Sequence, residues 1–504
     1  MVLGFAADAQ ALDWRFAPSV GVSATYSDNA NQSRSNPEDE LSLTATPAFT
    51  LTSSGSRRVQ ASMTYGLSAV TRFGEDNSND IYHRLGAIGK AELVEDFLFI
   101  DGSANVSQNL VSLFGSPADA SVNDSNRATT SVYTLSPHLV KRFGSFATAR
   151  ARYTTGGAIF GDDAANSISN SVTNSLTAGL TSGSRFNDLS WGVDYSIREA
   201  NNRGATRDST FERATLSLGY ALSRKFRVFA TYGEDKNDYL SAADAEGSSY
   251  SAGFGWAPNQ RTSVEASAGE RYFGRTFSLS GAYRTRASNW NIRYYEDVSD
   301  VSQQLQDQSS RIFWVCGGQL FETSDFTPPP GQTSCTIPLP GTYVSQFYTQ
   351  LGLTPADLTP FGLGDASLNN GVYIIKSLNA GWSWRLGPRT SVGISVFDTR
   401  RLYQAVNDAE DMTQGISGTV SYRLTPRTTA NANLGYTRNS ATSVQLGTPT
   451  NRDDDTASLN LGMFHQFGKD LSGALNYRHQ QRDSNIANAD FTENSLSASM
   501  NMRF

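Results

Sequence analysis

Apolar residues recur at every second position along almost the whole of this 504-residue chain. Trp14, Phe16, Val20, Val22, Ala24 and Tyr26 share one parity, and Leu41, Leu43, Ala45, Phe49 and Leu51 share one on the next segment. Val59, Ala61, Met63, Tyr65 and Leu67 repeat the pattern, as do Leu189, Trp191, Val193, Tyr195 and Ile197. At the C-terminus Leu496, Ala498, Met500, Met502 and Phe504 alternate with Ser497, Ser499, Asn501 and Arg503. The opposite parity is mostly Ser, Thr, Gly, Asn and Arg. A period of two belongs to a strand whose two faces meet different surroundings. About 22 such segments follow one another, an even number, as expected when one chain closes a barrel with both ends on the same side.

The mean hydropathy is −0.39. No run of about 18 apolar residues occurs, so no transmembrane helix is expected. A membrane is not thereby excluded, because barrel strands conceal their apolar content by alternation. The expected fold is all-β: a single antiparallel transmembrane β-barrel over residues 12–504, with one long insert that is either extracellular or folded into the lumen. The terminal strand, ending on Phe504, is expected to pair with the strand beginning at Trp14, so that no edge is left open.

Short and long connections alternate. Short ones such as 142–145, 223–225, 257–260, 386–389 and 424–427 carry the Gly, Pro, Asn and charged residues of tight turns. Longer ones are expected near 28–40, 74–80, 108–128, 157–168, 199–208, 234–247, 299–371, 399–412, 438–455 and 481–491. Short turns belong on the periplasmic side of such a barrel and long loops outside. The acidic pairs and runs Asp162-Asp163 and Asp453-Asp454-Asp455 fall in the long set, as solvated loop charge.

The 299–371 stretch departs from the rest. It opens on Gln303, Gln304, Gln306 and Gln308 and contains Pro328-Pro329-Pro330 and both cysteines of the chain, Cys316 and Cys335. In an oxidising compartment these would form a disulfide. Its aromatics Phe313, Trp314, Phe321, Tyr343 and Phe347 argue against disorder. Long connections of this kind are commonly functional. Two readings stand: a disulfide-pinned loop that plugs or gates the lumen, and an ordered extracellular cap.

Residues 1–11 end in Ala9-Gln10-Ala11, an A-x-A pattern before Leu12-Asp13-Trp14, and read as the remnant of a secretory signal peptide. The expected location is therefore integral to a Gram-negative outer membrane, with both termini periplasmic.

No catalytic pattern is present: no H-E-x-x-H, no G-x-S-x-G, no Walker motif and no C-x-x-C-H. Neither an enzyme nor a cofactor or metal site is expected. Charge distribution says more. The net charge of −7 hides a basic rim at the short-turn end, formed by Arg142, Arg224, Lys225, Arg261, Arg286, Arg385, Arg389, Arg423, Arg427 and Arg503. Such a rim would draw anionic solutes or an acidic partner from the periplasm, or simply flank the membrane span. Arg150, Arg152, Arg271, Arg284 and Arg293 fall on lumen-facing positions. Otherwise that face is rich in hydroxyls and amides, which suits hydrated solutes including saccharides.

Pro18-Ser19-Val20-Gly21-Val22-Ser23-Ala24-Thr25-Tyr26-Ser27-Asp28-Asn29, Thr46-Pro47-Ala48-Phe49, Glu95-Asp96-Phe97-Leu98-Phe99-Ile100-Asp101 and Ser136-Pro137-His138-Leu139 with Arg142-Phe143-Gly144 carry a resemblance. They resemble the outer-membrane β-barrel porin family associated with exopolysaccharide operons and PEP-CTERM gene sets. The motif-level resemblance spans about residues 14–160 and does not extend to 299–371. It implies a porin-like conduit that exports an exopolysaccharide from periplasm to cell surface. The implied partners are outer-membrane lipid and lipopolysaccharide, a polysaccharide substrate and a periplasmic export partner; nucleic acid is not among them. The competing expectations are a general or solute-selective diffusion porin and a sheath for a porin–cytochrome electron conduit.

Overall fold

The computed structural model describes residues 13–504 except 55, 75–76, 118–121, 162–168, 204–207, 242–243, 317–318, 325, 330–334, 336, 348–357, 359–370, 406–408 and 446–447. Residues 1–11, expected to be a signal remnant, Asp162-Asp163 and part of the 299–371 stretch lie outside the described residues.

The first fifteen strands are β1 (Asp13–Ser27), β2 (Glu40–Ser54), β3 (Val59–Phe73), β4 (Ser78–Val94), β5 (Leu98–Leu110), β6 (Arg127–Phe143), β7 (Ala147–Phe160), β8 (Asn170–Ser182), β9 (Leu189–Arg203), β10 (Ser209–Ser223), β11 (Phe226–Asp238), β12 (Glu246–Asn259), β13 (Thr262–Arg271), β14 (Gly274–Arg284) and β15 (Ser288–Asp300). The insert then supplies α1 (Val301–Ser310), β16 (Ile312–Cys316), β17 (Gln319–Thr323), β18 (Leu339–Pro340) and α2 (Gly341–Phe347). The wall resumes with β19 (Val372–Arg385), β20 (Thr390–Tyr403), β21 (Glu410–Thr425), β22 (Thr428–Gln445), β23 (Thr448–Gln466), β24 (Leu471–Ser484) and β25 (Phe491–Arg503).

Every wall strand pairs antiparallel with its neighbours, β15 pairing directly with β19 across the insert, in one 22-stranded sheet. The sheet closes where β1 meets β25, in register from Ser19↔Arg503 to Ser27↔Ser495. The Phe504 N–H then donates to the Pro18 carbonyl at 2.9 Å. The terminal strand thus satisfies the last open edge.

Short turns gather at one end of the barrel, where both described termini also lie. Gly144 (φ +57°) and Gly387 (φ +90°) supply the left-handed residue that their tight turns require. Long connections gather at the other end, with two departures from the sequence reading. Residues 438–455 are not a loop: β22 and β23 continue in register to Gln445↔Thr448. Asp453, Asp454 and Asp455 are consequently strand residues. Asp454 is buried beside Arg452 and Arg482, and Asp453 pairs with Arg438. The second departure is a tight Tyr272-Phe273 hairpin at the loop end, closed by the Arg271↔Gly274 pair.

The predicted apolar parity faces outward. Leu216, Leu218, Tyr220, Val193 and Leu434 are exposed there, as a lipid-facing band requires. From Trp14 to Tyr26 this band rises by about 28 Å for a strand tilted roughly 45°, close to a hydrocarbon core. Its two borders differ in chemistry. Every tryptophan except Trp314 sits at the turn end, in clusters such as Phe146–Phe186–Trp191 and Trp290–Trp382–Trp384. At the loop end the border is tyrosine with polar neighbours on the same face: Tyr195 donates to Glu212 (2.9 Å) and Tyr436 to Asp455 (2.8 Å). Amphipathic rings of both kinds belong at the membrane–water boundary.

Candidate functional site

The insert answers the choice between plug and cap. It starts at the loop end of β15, where the Asp300 carboxylate caps α1 by accepting from the Gln303 N–H (2.9 Å) and pairs with Arg198 of β9 (2.6 Å). The glutamine-rich run is helix α1. From there the chain folds into the lumen, against inward-facing positions of β3–β8. Val301 and Leu305 pack on Ala128, Val132, Ala158 and Phe160. Ser302 Oγ meets Ser171 Oγ at 2.5 Å, Gln306 Nε2 donates to Thr173 Oγ1 at 2.9 Å, and Ser309 Oγ lies 3.1 Å from Ser103 Oγ. The insert reaches furthest along β4, where Lys90 Nζ donates to the Ser324 carbonyl at 2.6 Å.

The remainder of the insert has a core of its own. Phe313, Val315, Leu320, Leu339, Val344 and Leu358 are buried together, and β16 pairs with both β17 and β18. The disulfide Cys316–Cys335, S–S 2.10 Å, ties this unit across a sequence separation of 19. Phe313 is therefore a core residue of the insert and not a pore-lining one. Trp314 is buried as well, and Phe321 is half-buried on β17. Tyr343 packs against the insert core and against the wall at Gly86. Desolvation pushes its phenol up to about 12, so it stays neutral. Phe347 ends α2, and its side chain lies outside the described ones.

A second inward element was not signalled by any motif. The β5–β6 connection crosses toward the opposite wall, where Arg482 donates to the Gly115 carbonyl (2.9 Å) and Arg452 to that of Phe114 (2.9 Å). Its Ser116 reaches Gln32 in the β1–β2 connection at 2.8 Å. Charged residues on the inward parity of β23 and β24 were the available clue.

Charge is organised differently at the two ends. At the loop end the arginines are engaged: Arg271 chelates Asp235 (3.0 and 3.1 Å) and meets Asp297 (2.8 Å), and Arg478 pairs with Glu493 (3.0 Å). Arg72 binds Asp80. At the turn end all ten rim residues named from the sequence are exposed, and none has an ion-pair partner among the described residues. Arg142, Arg385, Arg423 and Arg503 of this set occupy inward-facing strand positions. Of the five expected lumen arginines, Arg150 and Arg152 come together on β7. Arg271 is diverted into the Asp235 pair, and Arg284 belongs to the turn-end rim. Arg293 lies on β15 with its guanidinium 5.3 Å from the Tyr295 ring.

Below the insert, on the turn-end side, the inner wall of β5–β10 lines a half-open cavity of about 830 Å³. Strand register builds it from inward rows. One row runs Val140, Arg150, Gly179, Asp194, Thr215, and the next runs His138, Arg152, Thr177, Ser196, Arg213. Phe99 extends the second row on β5 and stacks on His138 at 5.1 Å. Arg142 lies on the turn-end side of the first row. Arg152 is held by Asp101 at 2.9 Å, whereas Arg142 and Arg150 have no ion-pair partner among the described residues. Sequence parity identified Arg150 and Arg152; it missed Arg213 and Phe99, which the barrel's curvature brings to the same cavity.

Residues 376–504 match the family model described as "Putative beta-barrel porin 2", an outer-membrane β-barrel porin family. The chain is a closed 22-stranded antiparallel β-barrel whose last quarter is similar to that family. That match covers β20 to β25 and most of β19, the end of the chain opposite to the motif-level resemblance over residues 14–160. No curated protein matches the sequence. Among solved structures, the FrpB iron transporter from Neisseria meningitidis is similar with a TM-score of 0.50 and 9% identity, over 97% of this chain and 82% of that one. The siderophore receptor PirA from Acinetobacter baumannii has a TM-score of 0.49 and 8% identity, over 97% and 80%. At such identity the likeness to FrpB is one of fold alone.

Proposed function

We propose that this porin-type barrel is the outer-membrane conduit for an exopolysaccharide, which enters at the turn end from the periplasm and leaves at the loop end. The observation that carries the reading is the turn-end rim. Its ten named cations have no ion-pair partner among the described residues and continue inward through Arg142 to the Arg150 cavity, so the periplasmic mouth holds a positive field that concentrates anionic or hydrated polar polymers. Hydroxyl and amide groups on the inner face exchange hydrogen bonds with a passing hydrated chain. The substrate class rests on the family resemblance of residues 14–160. Transport, not catalysis, is the role, with lipopolysaccharide around the barrel and a periplasmic export partner at the rim.

The insert and the β5–β6 connection fill much of the loop-side lumen. That filling favours a second reading, a diffusion porin selective for small solutes. Deleting the gene separates the two. Loss of surface polysaccharide with the periplasmic polymer retained is expected for export. Normal surface polysaccharide with altered small-solute uptake would reject export in favour of the diffusion porin.

A further inference from the structure

We propose that the cavity on the inner wall of β5–β10 is a binding subsite for an acidic sugar residue, with Arg150 and Arg142 taking its carboxylate. The proposal deepens the conduit reading and rests on it for the idea that a saccharide passes here.

The argument starts from register. Arg150 faces inward beside Gly179, and the next inward residue on that row is Asp194. Gly179 makes room for the Asp194 carboxylate, since a Cβ there would stand 2.6 Å from Asp194 Oδ1. The cavity is therefore a recess lined by charged inward rows, with Asp194 seated over Gly179 beside Arg150. Its volume of about 830 Å³ falls within the range of small-ligand sites, roughly 300–1,000 Å³.

Charge then selects the ligand. Arg142, Arg150, Arg152 and Arg213 line the cavity against Asp96 and Asp194, four cations to two anions. Arg152 is occupied by Asp101, and Arg213 Nε lies 3.7 Å from Asp235. Arg150 and Arg142 are left to meet a ligand. A guanidinium binds a carboxylate through two parallel hydrogen bonds, and the geometry favours a planar carboxylate over a neutral hydroxyl. Thr148, Thr177 and Thr215 supply hydroxyls for the sugar's remaining groups, and the Phe99–His138 stack supplies an aromatic border. From Phe99 to Arg213 the row crosses five strand intervals, about 24 Å at the usual spacing, so several linked sugar rings can lie along it.

The test uses the full-length protein in detergent micelles and isothermal titration calorimetry. Oligogalacturonate is the acidic probe and maltohexaose the neutral one of similar length. Binding of oligogalacturonate, weakened by salt, with none of maltohexaose is expected. Arg150→Gln should weaken it about tenfold, as loss of one charge-assisted pair implies. Arg34→Gln, at an exposed loop-end position, should leave it within about twofold, which separates local pairing from net charge. Equal binding of both probes, or an Arg150→Gln protein that keeps the heat-modifiable migration of a folded barrel and binds as wild type, overturns the subsite. The two readings fail separately. If the gene deletion leaves surface polysaccharide intact while oligogalacturonate binding still depends on Arg150, export falls and the acidic-sugar site stands. If the deletion abolishes the polymer and neither probe is distinguished, the subsite falls alone.

Discussion

Leu305→Ala tests whether the insert is a docked plug or an inseparable part of the wall. Leu305 is 1% exposed and, with Val301, forms the apolar contact between α1 and the barrel through Ala128, Val132, Ala158 and Phe160. The other contacts of α1 are polar, such as Ser302–Ser171, Gln306–Thr173 and Tyr373–Gln304. Each of these contributes only about 0.5–1.5 kcal/mol, because water replaces the partner when the insert leaves. At α1, docking is thus decided largely by the apolar contact. Truncating a buried Leu to Ala costs about 2–5 kcal/mol from lost transfer and the cavity left behind. Alanine does not weaken the helix itself. The docked-to-undocked ratio should fall by a factor of about 30 to several thousand. In planar bilayers the variant should dwell in a larger conductance state that wild type visits rarely. Trypsin should also cut at Arg311, which wild type shields through Glu322 and the docked insert. The 22-stranded ladder does not pass through α1, so the thermal transition of the barrel should stay put. Unchanged conductance and unchanged cleavage in a folded variant would refute the reasoning. So would a barrel that melts early, because Leu305 would then be supporting the wall.

Gly86→Leu should open the pore from the other partner, since even a Cβ there would stand 2.9 Å from Tyr343 Cδ2 and 3.1 Å from Pro340 Cγ; a conductance no larger than wild type would contradict it. Replacing Cys316 and Cys335 by Ser should remove about 3 kcal/mol of loop-closure stabilisation from the insert, read as faster proteolysis between those positions with the barrel melting unchanged. Arg482→Ala should free the β5–β6 connection by removing its hydrogen bonds to the Phe114 and Gly115 carbonyls, worth about 1.5–3 kcal/mol each for a charged donor, and limited proteolysis near Phe114 should rise. Changing Arg385, Arg389 and Arg423 together to Gln should shift the reversal potential in a KCl gradient toward cation preference, with the difference fading above about 1 M salt, where the screening length is near 3 Å.

The alternation of apolar and small polar residues determined, without any coordinates, a barrel wall, its inner and outer faces and the strand that closes it. That legibility has a physical cause: lipid on one side and water on the other impose a period of two on each strand separately, so each can be read alone. Trp14 to Tyr26 and Leu496 to Phe504 are examples, and the turn-end position of Arg389 or Arg427 follows from the turn chemistry around them. What the sequence left open depends on which strands face one another across or around the lumen. Arg271 and Arg150 both face inward, yet Asp235 two strands away neutralises the first, while the second has no ion-pair partner among the described residues. Asp453-Asp454-Asp455 looked like loop charge because a polar run carries no signal that a hairpin continues; only pairing with Arg438, Arg452 and Arg482 makes it a strand. The seating of the insert is of the same kind. Val301 and Leu305 could have faced water, each other or the wall, and only the concave surface of Ala128, Val132, Ala158 and Phe160, assembled by closure, gives them a place to be buried. Local periodicity fixes what each strand separates, and tertiary closure fixes which charges and apolar groups meet inside.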